Sequence, residues 1–349
     1  MKNGAEKLIH ELDQKVISRL SQRKYNDFRQ ELKDVFFVFK ELLEDYYIQN
    51  TLGEKYALHQ IPFYIEKVKK WCKDIETMVD GHFEGDLLKT VKVYNRLFKK
   101  TAGSFQLWPH FPSTNIEQDS LWYRGRDTKK EEHWDKKQLF HVSYEERGKI
   151  GSQRFSIQGF PCLYLASSLS CCIKETHAKT FTTVSAFKAL SNIEVYDLSF
   201  YPSIPNAKQL WDYLLLYPIK IACSIPMQKK CKKDNFIPEY IVPEYVLHGT
   251  IKQSKDLSKS LGFIYTSTTI FSKNVAKEEV RKHTNLVIPV VEIKNKGYCD
   301  ILRNMFSMTE PVKLSCSDKN HKFFEEQSKL FTDMEYDKLP HTKDIDKIN

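Results

Sequence analysis

The chain has 349 residues, enough for two domains of ordinary size, and its 54 basic and 45 acidic residues, net +9, are interleaved along it. That balance favours an anionic partner only weakly: a phosphate-bearing small molecule, RNA or a membrane surface would each fit, and a merely well-solvated surface fits best, so a nucleic-acid partner is not expected. The start, MKNGAEKLIHELDQK, lacks the apolar run of a signal peptide, and no window reaches the ~18 apolar residues of a membrane helix, so a cytoplasmic protein with no membrane partner is expected. Apolar residues at three- and four-residue intervals then predict four amphipathic helices: LIHELDQKVISRL, FRQELKDVFFVFKELLEDYYIQN, IPFYIEKVKKWCKDIETMVDG and LLKTVKVYNRLFKK. They form a helical bundle over the first hundred residues.

The texture changes at TAGSFQLWPHFPSTNIEQDS, residues 101–120, where prolines and isolated aromatics predict a connector and a domain boundary. Beyond it, SLWYRGR, QLFHVS, PCLYLA, IEVYDLS, FIYTSTT and NLVIPVVEI read as strands bounded by turn formers or charge. Helices are expected between them at SLSCCIKETHAK and NAKQLWDYLLLYPIKIACS. The division is residues 1–105 for the helical domain, 106–317 for a mixed or antiparallel sheet domain, and 318–349 for a charged tail whose end, DKLPHTKDIDKIN, is expected to fray. The basic run MQKKCKKDN reads as a solvated loop.

Eight cysteines are present, but no two are spaced C-x-x-C, and the adjacent Cys171 and Cys172 diverge from a helix. Reduced thiols filling a core are expected, and no metal site. The nucleophile elbow, Walker loop, dinucleotide turn and zinc helix are all missing. What remains is a constellation in the second half. Arg124 stands in a strand where it shares a face with Trp122, while Tyr123 and Gly125 point the other way. Arg154 precedes a strand centred on Tyr164, and the helix after it opens on an N-cap at Ser167 or Ser168 and bears Glu175 two turns in. Singly each has a structural reading: surface charge, core ring, solvated helix face. Together, two guanidinium groups suit a diphosphate, an aromatic ring suits a base, and a carboxylate suits a developing oxocarbenium ion. Cleavage of a nucleotide's glycosidic bond needs that set.

From about Leu121 to Thr268 the chain resembles the RES domain, named for an arginine, a glutamate and a serine and related in fold to ADP-ribosyltransferases. The resemblance rests on LFHVSYEERGKIGSQRFSIQGFPCLYLASSLSCCIKE at 139–175, flanked by YRGR at 123–126 and GFIYTS at 262–267. It implies an α+β chain, a helical N-terminal bundle followed by an ADP-ribosyltransferase-like mixed β-sheet domain. It also implies catalytic roles for Arg124, Glu175 and Ser267, with Arg124, Arg154, Tyr164 and Ser267 holding NAD as the substrate. Nicotinamide would be lost by hydrolysis or phosphorolysis, or by transfer of ADP-ribose to a protein or nucleic acid. Toxins checked by an antitoxin are common in the family, so an antitoxin or regulatory protein is an expected partner. QRFS stands where many members have GRW. The helical N-terminal domain, like those fused to some members, points to a regulated or defence-associated enzyme, with packing, sensing or homo-oligomer formation as its role. A scaffold with a decayed pocket is the alternative from another class.

Overall fold

The computed structural model describes residues 2–50, 61–98, 111–202, 207–228, 236–254, 261–271, 274–292, 294–316 and 321–338. Of the end expected to fray, residues 337–349, Asp337 and Lys338 instead pair antiparallel with Met308 and Ser307, while residues 339–349 and most of the basic run at 227–235 lie outside that set. The fold is α+β, as the alternating periodicities predict. Four helices come first, α1 (Lys2–Leu20), α2 (Phe28–Asn50), α3 (Ile61–Phe83) and α4 (Leu87–Phe98). Then follow β1 (Ser113–Ile116), β2 (Leu121–Thr128), α5 (Lys136–Leu139), β3 (Cys162–Ala166), α6 (Leu169–Thr176), β4 (Phe181–Ala189) and β5 (Ile193–Leu198). The remainder comprises α7 (Ala207–Ser224), α8 (Ile241–Ser254), β6 (Phe263–Thr266), α9 (Lys277–Lys282), β7 (Thr284–Pro289), α10 (Asp300–Met305), β8 (Phe306–Met308), β9 (Val312–Ser315), α11 (His321–Thr332) and β10 (Asp337–Lys338).

Packing divides these elements into two compact units. One gathers Met1–Pro112, Ser199–Gly249 and Ile270–Lys277. In it α3 packs on α2, α4 and α7, and α1 packs on α2 and α7. The i, i+3 spacing of α2 buries Phe36 and Phe39 completely, and Phe39 stacks on Tyr217 of α7 with ring centroids 4.6 Å apart. A polar knot sits inside. Asp13 of α1, fully buried, accepts from Lys220 Nζ at 3.1 Å, the Tyr217 hydroxyl at 2.7 Å, the Tyr213 hydroxyl at 3.1 Å and the Tyr201 N–H at 2.5 Å. The Lys220 ammonium also lies 4.1 Å from the Phe200 ring centroid and 4.2 Å from that of Tyr213. A charge this deeply buried persists only because it is paired and hydrogen-bonded on every side.

The other unit gathers Ser113–Leu198, Thr250–Thr269 and Glu278–Asn349 around a mixed ten-stranded sheet, ordered β1-β5-β6-β7-β3-β2-β4-β8-β10, with β9 also paired to β4. The β5–β6 pair is parallel and the other pairs are antiparallel. Alternation along β2 sends Trp122 into one apolar layer with Leu163, Leu165 and Phe187, and Tyr123 into the opposite layer with α6 and Phe331 of α11. Two expectations fail locally. QLFHVS is no strand: Asp135 and Gln138 form a reciprocal capping box that starts α5, and His141 after it is buried between Val142 O and Cys299 N–H. Within the expected connector, STNI forms β1 by pairing antiparallel to β5, a long-range partnership that local composition does not report.

One feature of the sheet sets up the site. β2 pairs with β4 over eight residues and β3 with β7 over five, yet β2 and β3 register only at Tyr123↔Ala166. The sheet therefore opens between β2 and β3 beyond that pair, leaving backbone carbonyls to find other donors.

Candidate active site

Glu175 is placed by α6. Ser168 caps the helix, its hydroxyl accepting from Cys171 N–H at 3.2 Å, and His177 ends it in the left-handed region at φ 52. Between those ends, Leu169, Cys171, Cys172 and Ile173 pack down on the sheet. The helix sits so close to β2 that a Cβ at Gly125 would lie 2.9 Å from Cys172 Sγ and 2.9 Å from Thr176 Cγ2. Glycine at 125 is thus what lets the helix and its carboxylate approach.

Two donors hold one oxygen of that carboxylate. The Ser267 hydroxyl, just past the end of β6, donates to Glu175 Oε1 at 2.6 Å, and Asn285 Nδ2 of β7 donates to the same atom at 2.7 Å. Both distances are those of charge-assisted bonds. Ser267 is itself fully buried. Its N–H donates to His283 O at 2.8 Å, and its oxygen accepts from the Thr269 N–H at 3.2 Å and lies 2.6 Å from the Thr269 hydroxyl. Since the Ser267 proton goes to Glu175, Thr269 is the donor in that last contact. The Asn285 carbonyl accepts from the Cys171 thiol at 3.5 Å, which fixes the orientation of its amide. Behind α6, Ser170 Oγ and Lys174 Nζ lie 3.3 Å and 3.1 Å from His283 Nε2, so the helix is tied to the strand that carries Asn285. Burial lowers the pKa of that imidazole.

Arg124 occupies the opening between β2 and β3. Only 8% exposed, it donates through Nη1 to the Tyr164 carbonyl at 3.3 Å, while its Nε has no partner. No carboxylate pairs with it among the described residues. Burial, and then the neighbouring Arg126, pull its pKa down to about 9. Tyr164 commits its hydroxyl to Phe155 O at 2.9 Å, so its ring is what it can offer a ligand, and burial pushes its phenol well up. Phe155 stands at φ 57, in the left-handed region, with its ring fully buried against Phe263 and Tyr265 of β6. Arg154, which precedes it in the chain, is also buried.

The residues expected from sequence thus fall into two sets. Glu175 and Ser267 touch directly. Arg124, Tyr164 and Phe155 form the other set, joined through the Tyr164 carbonyl and hydroxyl. Burial raises the Cys172 thiol, with Arg124 acting to lower it and Glu175 to raise it. Sequence reasoning missed Asn285, a single amide opening the apolar run of β7, and Arg126, the other arginine of YRGR. The alternation of the strand could have found Arg126, because residues two apart share a face.

A half-buried carboxylate held by a serine and an amide, in the same open mixed sheet as a buried arginine without a carboxylate partner among the described residues, makes a site suited to an electron-poor sugar carbon and an anion. The family model described as the RES domain matches residues 122–214, which places Arg124, Arg154, Tyr164 and Glu175 inside the match and Ser267 beyond it, and bears out the resemblance read from the motifs. Among individual proteins, the chain is similar to one of Bacillus subtilis (strain 168) named "Putative toxin YopC", 33% identical over 203 residues. That match covers 53% of this chain and 44% of the relative, so the chain spans less than half the length of the relative it matches. No solved structure matches the chain. Among the described residues no helix is long and apolar enough to cross a membrane.

Proposed function

We propose that this chain cleaves the bond between nicotinamide and ribose in NAD and passes the ADP-ribose to water or phosphate. One observation carries the reading: Ser267 and Asn285 both donate to Oε1 of Glu175, which holds the carboxylate aimed and leaves Oε2 for a ligand. In the mechanism, Arg124 holds the diphosphate and Arg154 assists at the adjoining turn. The Tyr164 ring packs on the nicotinamide half. Glu175 Oε2 accepts from a ribose hydroxyl. As the glycosidic C–N bond breaks, nicotinamide leaves neutral with the electron pair, and the oxocarbenium ion is stabilised by the Glu175 carboxylate. Water or phosphate adds to the same carbon and releases a proton. The toxin in the relative's name supports a role in depleting NAD under the control of a neutralising partner protein, and the cytoplasm is where that substrate would be met.

The test is incubation of the purified protein with NAD, with and without phosphate, followed by product analysis. Free ADP-ribose marks hydrolysis, its 1″-phosphate marks phosphorolysis, and label on protein or nucleic acid marks transfer instead. Glu175→Gln keeps the size of the side chain and its bonds to neighbours but removes the charge. It is expected to lower nicotinamide release by roughly 10²–10³-fold with an unchanged melting temperature. Wild-type turnover in that variant would sink the assignment.

A further inference from the structure

The face of the β2–β4 pair that carries Arg124 holds more hydrogen-bonding capacity than the protein satisfies. Arg124 stands directly across from Ser185 of β4, and Arg126 follows two residues on, across from Thr183, so all four side chains lie on one face. The Nε atoms of both arginines and the Ser185 hydroxyl are buried without a partner. Ser185 is fully buried and Arg124 more than nine-tenths so. The next residues along the same face are satisfied, because the Thr128 hydroxyl donates to Thr183 Oγ1 at 2.9 Å. The unmet capacity is therefore confined to three adjacent positions. Asp127, the acidic residue between Arg126 and Thr128, is exposed and points to the other face. Among the described residues neither guanidinium has a carboxylate partner.

A buried guanidinium with a second, partly buried one beside it is costly, and a folded chain keeps the pair where something anionic offsets the cost. We propose that Arg124, Arg126 and Ser185 form one anion site built for the diphosphate of a dinucleotide, with Arg126 supplying the second guanidinium fork. Each fork offers up to five N–H donors, more in total than the two oxygens of one carboxylate can accept, and the non-bridging oxygens of two linked phosphates match that supply. Burial lowers both guanidinium pKa values, the direction expected of cations awaiting a counter-ion. The proposal deepens the NAD reading and rests on it for the source of the diphosphate.

The experiment is calorimetric titration of the wild type, Arg126→Gln, Arg126→Lys and Ser185→Ala with ADP and with adenosine, alongside NAD consumption. Expected is ADP binding weakened at least tenfold in Arg126→Gln, several-fold in Arg126→Lys and Ser185→Ala, with adenosine unaffected throughout. Arg126→Lys keeps the charge and loses the fork, so it carries the test if the glutamine variant does not fold. ADP affinity equal to wild type in the lysine variant, or an equal loss for ADP and adenosine, would overturn the proposal. Arg126-dependent ADP binding in a protein that leaves NAD intact keeps the anion site and removes the NAD reading. NAD cleavage with an unchanged KM in Arg126→Gln does the reverse.

Discussion

The hold on Glu175 yields the sharpest prediction, tested with Ser267→Ala, Asn285→Ala and the double variant. Each substitution removes one bond to Oε1, at 2.6 Å and 2.7 Å. A hydrogen bond to a charged group is worth ~1.5–3 kcal/mol, and each 1.36 kcal/mol is tenfold in rate, so each variant should lose roughly 10- to 150-fold in kcat. Because the two donors share one acceptor atom, losing either lets the carboxylate tilt and spoils the geometry of the other. The double variant should therefore fall short of the product of the single losses and no lower than Glu175→Gln. KM for NAD should change little, since neither residue is placed on the diphosphate. The assay is nicotinamide release at saturating and limiting NAD, with melting curves as a control for folding. Single variants that turn over like wild type while Glu175→Gln is inactive would refute the reasoning, as would losses that multiply fully or appear in KM alone.

Two further outcomes concern the scaffold. Asp13→Asn leaves the buried Lys220 ammonium uncompensated, at a cost of about 3–5 kcal/mol, which for a unit of this size is roughly 6–20 °C in melting temperature. Asp13→Asn with Lys220→Met should recover much of it, and a double variant no more stable than the single would count against the charge argument. His141 is fully buried and its pKa is lowered to about 4 by burial. Below pH 6.5 the unfolded chain takes up a proton that the folded chain refuses until about pH 4, so stability is lost as pH falls through that window, by ~3 kcal/mol in all. Melting curves of wild type and His141→Gln between pH 7 and 4 check this: the variant should be less stable at pH 7 but show the flatter slope, and parallel slopes would exclude His141 as the source.

Much of the fold was legible because its signals are local. Four helices of the first hundred residues emerge from the 3.6-residue period of residues such as Leu32, Val35, Phe36 and Phe39, and β2, β3, β5, β6 and β7 from short aromatic and branched runs. The central strand β4 was not legible. FTTVSAFKA is interrupted by threonines, a serine and a lysine, and it becomes a strand because β2 on one side and β8 and β9 on the other supply its ladder. The same limit applies to QLFHVS, whose strand-like composition yields to the cap at Asp135 and the buried contacts of His141.

By itself the sequence determined which chemistry the second half can hold: an arginine, a tyrosine and a glutamate on a strand, a strand and the helix after it, since period and spacing assign faces without knowing neighbours. It also carried, through ordered motifs, the RES resemblance that links Glu175 to Ser267. Only the tertiary structure decided that Ser267 and Asn285 converge on the same carboxylate oxygen, that β2 and β3 part around Arg124, and that residues 199–249 pack with the N-terminal helices through Asp13 and Lys220. These contacts join positions tens to hundreds of residues apart. Strand pairing and burial, which depend on the whole folded chain, set them, and no local pattern records which distant donor a buried acceptor will find.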